Sequence, residues 1–174
     1  MTALAVLPVL ALGACSQGSS STPSASPSAS ASASAAPGSL SVDGVTVSGA
    51  PDQQPTITVD TAATPPSQLV VKEITPGDGK AVGPNSQVTV QYTGVAWSSG
   101  KEFDSSWATG QPATFPIQGV ITGWQQGLQG VKEGERVLLI IPPDQGYGEA
   151  PPPQSGIAAN DTLVFVVDVI KVQS

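Results

Sequence analysis

Histidine is absent from the 174 residues, and cysteine occurs once. Those two facts remove nearly every zinc, iron or copper site, and every catalytic set built on Ser-His or Cys-His. Calcium held by Asp, Glu and carbonyls stays open, but no Asp-rich loop of EF-hand spacing occurs. Cationic side chains are few, six Lys and Arg against thirteen Asp and Glu, for a net charge of −7. This balance argues against nucleic acid as a partner, because such binding rests on Lys and Arg neutralising phosphates. The length fits one domain, or one domain plus tails. Aromatic residues make up only 5% of the chain. Yet Phe103, Trp107 and Phe115 fall within "GKEFDSSWATGQPATFP", residues 100–116, beside Asp104. The rest of that run is largely Gly, Ser, Thr and Pro, so its rings are either a packing detail or the wall of a site.

The N-terminus has the opposite bias. Residues 3–14 are apolar, too short to span a bilayer, which needs ~20 residues, but suited to the apolar region of an export signal. The run ends in Leu12-Gly13-Ala14-Cys15, which resembles the lipobox of bacterial lipoproteins and implies Cys15 as the lipidation site. Export signals begin with Lys or Arg, whereas the first basic residue here is Lys72. The expectation is therefore that Met1 is not the natural start, or that the chain is trimmed, so that as it stands it need not be exported or lipidated. Residues 16–38, "SQGSSSTPSASPSASASASAAPG", carry no large apolar side chain and cannot offset the entropy of ordering. They read as a disordered linker, able to hold a domain roughly 25–30 Å off a surface.

Residues 39–65 contain short β-like runs, "GVTVSG" and "PTITV", broken by Gly, Pro and Asp. They read as an extended lead-in that either adds an edge strand to the domain or lies along it, not as a second domain. The folded domain is expected from residue 66 to 174. "LVVKEI" (69–74) reads as a strand. "QVTVQYTG" alternates with Val88, Val90 and Tyr92 on one face, as in a half-buried antiparallel strand. "KEFDSS" and "ATFPI" are shorter strands, and "RVLLII" is a strand stopped by prolines. "TLVFVVDVIKV" (162–172) is the longest, with Leu163, Phe165, Val167 and Val169 facing together. "ITGWQQGLQG" (121–130) is the one good helix, with Trp124 and Leu128 four apart on a shared face. Its glycines make it weak by propensity, so packing must hold it. Strands before and after one short helix predict an α+β domain with an antiparallel sheet wrapped over the helix.

These segments carry a resemblance. "VQYTG", "KEFDSSW", "VITGW", "DQGYGE" and "TLVFVVDVIKV" stand in the order and spacing of the FKBP family of peptidyl-prolyl isomerases, from about Leu69 to Val172. The resemblance implies a five- or six-stranded antiparallel sheet curled around one short helix, with a pocket between them. It implies Tyr92, Phe103, Asp104, Tyr147 and Phe165 as catalytic residues, and Phe115, Val120, Ile121, Trp124 and Ile157 as substrate-binding residues. Trp124 would form the floor, Trp124, Phe103 and Phe165 would hold a proline ring, and the Tyr147 hydroxyl and Ile121 amide would hold substrate carbonyls. The family often carries an arginine paired with the Asp where Thr109 stands, and an aromatic where Ala113 stands. Asp104 is then expected to rely on hydroxyls such as that of Tyr92.

The implied function is a peptidyl-prolyl cis-trans isomerase that assists the folding of exported proteins at the outer face of the membrane. It would be extracytoplasmic, lipid-anchored or secreted, and need no cofactor. Its partners would be proline-containing polypeptides and macrolide ligands, with membrane contact through the lipid anchor only, and nothing in the sequence asks for more than a monomer. The alternative is a non-catalytic FKBP-like chaperone or scaffold that holds proline-containing segments.

Overall fold

The computed structural model describes residues 39–173; Cys15 and the 16–38 linker lie outside them. Strands β1 (Leu40–Val42), β2 (Val45–Ser48) and β3 (Thr56–Val59) come first. Then follow β4 (Val70–Thr75), β5 (Gln87–Ala96), β6 (Lys101–Ser105), β7 (Ala113–Pro116), helix α1 (Thr122–Gly127), β8 (Arg136–Ile141) and β9 (Leu163–Gln173). The larger sheet has the order β4-β8-β9-β5-β6, with β7 also paired to β5, and every pairing is antiparallel. This is the sheet around one short helix that the sequence predicts.

Strand β8 buries every side chain, and β9 buries those of its first half on both faces. On the helix side, Val137, Leu139 and Ile141 join Leu163, Phe165, Val167 and Val169 in one core with Trp124 and Leu128. On the back, Leu138, Ile140, Val164 and Val166 join Val95 and Trp97 in a second core. The α1 glycines are its contact surface rather than its weak points. A Cβ on Gly127 would lie 2.7 Å from Leu139 Cδ2, and one on Gly123 would collide with Ile141. The helix therefore sits against β8 closer than alanine would permit.

Of the two readings of residues 39–65, the added edge strand does not hold and the segment lies along the domain. Strands β1, β2 and β3 pair only with one another, as a separate sheet of order β1-β2-β3. Asp43 and Gly44 both have positive φ (49° and 81°), the two-residue turn that matches the twist of a hairpin. The physical reason for the separate sheet is the back core. Val45 and Val47 are fully buried there, with Leu40, Val42, Ile57 and Val59 packed beside them. Laying this apolar face on the apolar back of the larger sheet takes both from water, at about 25 cal/mol per Å² buried; addition at an edge would bury neither.

Arg136 fastens the two sheets. It is 1% exposed, and its Nη2 donates to Asp168 Oδ2 on β9 at 2.9 Å. The same guanidinium donates to the carbonyls of Ala50 (2.9 Å) and Gln53 (2.7 Å) in the β2–β3 connection. A buried guanidinium needs this many acceptors to offset its desolvation.

Candidate active site

Between α1 and the larger sheet lies a cavity of about 280 Å³. Strand β5 contributes Tyr92, β6 contributes Phe103 and Asp104, and β7 contributes Phe115. Gly119, Val120 and Ile121 form a lip ahead of the helix, Trp124 comes from α1, Tyr147 from the loop after β8, and Phe165 from β9. Every residue expected at the site lines this cavity except Ile157, which is half-buried against the same core without reaching the lining.

The rings brace one another edge to face. Trp124 is central, with centroids 5.5 Å from Tyr92, 6.1 Å from Phe115 and 5.3 Å from Phe165, at interplanar angles of 84–88°. Phe103 meets Phe165 at 5.4 Å and 88°. Such contacts add ~0.5–1.5 kcal/mol each beyond area burial and fix ring orientation. Gly94 permits them. A Cβ there would lie 2.7 Å from the Phe165 ring and 2.8 Å from the Phe103 ring.

The polar groups are few and aimed. Tyr92 Oη donates to Asp104 Oδ2 at 2.7 Å. Burial first, then the hydrogen bond to Asp104 and its charge, push the Tyr92 phenol well above its usual range. Burial and the Asp104 charge raise Tyr147 as well. Both hydroxyls therefore remain protonated donors at neutral pH. Ile121 caps α1, its carbonyl accepting from the amides of Trp124 (3.0 Å) and Gln125 (3.1 Å). Its own N–H precedes the first helical turn, where amides have no intrahelical partner. Gln125 Nε2 donates to Val120 O at 2.8 Å and fixes the lip.

Sequence reasoning missed a serine clasp. On its outer edge β5 pairs with β7 as far as Val90 and with β6 from Thr93 onward, so Gln91 and Tyr92 fall in the gap. Ser106 Oγ accepts the Tyr92 amide at 2.9 Å and donates to Gln91 Oε1. Ser105 Oγ donates to Tyr92 O at 3.2 Å. The repeated serine of "FDSS" was a signal, but only the strand gap gives it meaning. Gly94 and Gly119 were also missed. Thr109 Oγ1 donates to Ser106 O at 2.8 Å and so serves its own turn.

Comparison with known proteins agrees with this geometry. The sequence model of the family described as FKBP-type peptidyl-prolyl cis-trans isomerase matches residues 79–170. The chain is 44% identical over 110 residues to an FK506-binding protein of Streptomyces anulatus, covering 62% of this chain and 89% of that one. It is 42% identical over 105 residues to the FKBP-type isomerase FkpA of Escherichia coli K12, 60% of this chain but only 38% of that protein. The crystal structure of Escherichia coli FkpA superposes with a TM-score of 0.56 at 42% identity, covering 60% of this chain and 48% of that one. Strands β1 to β3 lie outside the residues the family model matches. With the ring-lined cavity and the sheet order in place, this match establishes that the chain belongs to the FKBP-type peptidyl-prolyl cis-trans isomerases, which act on proline-containing peptides.

Proposed function

We propose that the cavity catalyses X-Pro isomerisation by taking the proline ring among Trp124, Phe103 and Phe165. The barrier of ~18–20 kcal/mol is the resonance lost as the amide twists. The planar amide is more dipolar than the twisted one, so transfer from water into an apolar cleft penalises the ground state more than the transition state. The Tyr147 hydroxyl and the Ile121 amide then hold the flanking substrate carbonyls as fixed donors. The Tyr92–Asp104 pair sets the polar edge of the cleft. No covalent intermediate or proton transfer is needed. The observation that carries this reading is the edge-to-face ring cluster lining a cavity whose rim bears two protonated phenols.

The test is NMR exchange between cis and trans forms of an X-Pro peptide with catalytic amounts of the full chain. Acceleration that Asp104→Leu sharply reduces, with the fold intact by circular dichroism, is the expected result. Peptide binding without acceleration would instead support the non-catalytic chaperone reading. A macrolide of the FK506 type is proposed to compete for the cavity, because the Streptomyces anulatus relative is named for binding FK506.

The apolar run, Cys15 and the Ser/Ala/Pro linker support an extracytoplasmic, lipid-anchored isomerase that serves exported proteins. Detergent-phase partitioning of the natural protein and of Cys15→Ala from membranes tests the anchor. Equal partitioning of the two would exclude lipidation at that cysteine.

A further inference from the structure

Asp104 is the single charged residue lining the cavity. Its Oδ2 accepts from Tyr92, and among the described residues its Oδ1 has no hydrogen-bond partner. The only ion pair among the described residues is Arg136–Asp168, on the other side of the sheet, so no protein cation neutralises Asp104. Thr109, in the turn after β6, turns its hydroxyl to Ser106 O. The loop that brings Tyr147 to the cavity, residues 143–149, carries Asp144 and Glu149 and no Lys or Arg. Phe103 and Asp104 both line the cavity, so a side chain next to a proline held by the rings comes within reach of the carboxylate.

We infer that Asp104 is a specificity determinant, selecting client segments that carry a lysine or arginine beside the isomerised proline. The inference rests on the isomerase reading of the same cavity. Two effects act in one direction. A flanking cation pairs with Asp104 at the rim, and the net charge of −7 raises the encounter rate of cationic segments. Water solvates the exposed Asp104, so the pairing is modest, about two- to fivefold in kcat/KM, the range of an exposed ion pair.

The experiment measures kcat/KM of the full chain on peptides with Leu, Gln, Lys or Glu immediately before the proline, and on a second series with these residues immediately after it. Each series is run at low salt and at about 1 M salt, where the screening length falls to about 3 Å. The expected result is Lys above Gln and Glu below Gln in at least one series, with both differences collapsing at high salt. Asp104→Asn should bring the Lys and Gln rates together, whatever its effect on the Leu peptide. Should that variant turn over too slowly to rank, NMR titration of the Lys and Gln peptides gives the same ratio as binding. Equal Lys and Gln rates at low salt, or a Lys preference that survives Asp104→Asn, would overturn the inference while leaving the isomerase reading intact. Failure to accelerate even the Leu peptides would count against the isomerase reading itself.

Discussion

Tyr92 and Asp104 lie on paired strands and meet across the cavity edge, the phenol donating to the carboxylate at 2.7 Å. The bond orients the carboxylate toward the rim. Tyr92→Phe keeps the ring contacts and removes only this donor. It should lower kcat/KM about three- to tenfold, the effect of ~1 kcal/mol expected for a partly solvated bond to a charged group. Unfolding in denaturant should change little. An unchanged rate would mean that Asp104 needs no help in orientation.

Raised phenols give a pH prediction. The folded-state values of Tyr92 and Tyr147 lie above the unfolded value of 10.0. The stability supplied by their protonated forms is thus complete below pH 10 and is lost as pH rises above it. Activity should be flat between pH 7 and 9, with no histidine present to titrate. Thermal stability should fall above pH 10, and less steeply in Tyr92→Phe.

Ser106 should act through Tyr92. Ser106→Ala strands the Tyr92 amide in the strand gap and should cost about 1–3 kcal/mol of stability. It should also lower kcat/KM, with recovery in Ser106→Thr, which keeps the hydroxyl. In a Tyr92→Phe background the kinetic loss should shrink, because the hydroxyl it positions is gone. Full additivity of the two losses would assign Ser106 to stability alone.

Gly94→Ala inserts a methyl where two pocket rings converge. Overpacking of this kind costs about 1–3 kcal/mol. The rings must separate, so KM for an X-Pro peptide should rise while the secondary structure persists. Unperturbed Phe103 and Phe165 ring signals by NMR would contradict the close approach.

Arg136→Met leaves Asp168 largely buried without its cation and the Ala50 and Gln53 carbonyls without their donor. Breaking such a pair costs roughly 3–5 kcal/mol. Removing residues 39–65 should destabilise at least as much, because it bares Leu138, Ile140, Val164 and Val166. Chemical denaturation of both variants measures this directly.

The larger sheet was legible because β5 alternates, β9 is a long Val-rich run and α1 pairs Trp124 with Leu128. Most of the cavity was legible because its rings stand in family motifs. The small sheet was not. Its strands are three or four residues long, and nothing local shows whether such a strand joins an edge or lies across a face. The clue sat elsewhere, in "RVLLII". A strand that does not alternate is covered on both faces, and one helix can cover only one of them. Arg136 likewise reads as an ordinary strand start until its partners, more than eighty residues earlier in sequence, are brought beside it.

The layering of the two sheets also leaves the catalytic face uncovered by the small sheet. The described chain begins in β1, within the layer that covers the back, while the cavity opens on the helix side. A passing polypeptide can reach the rings without displacing strands β1 to β3.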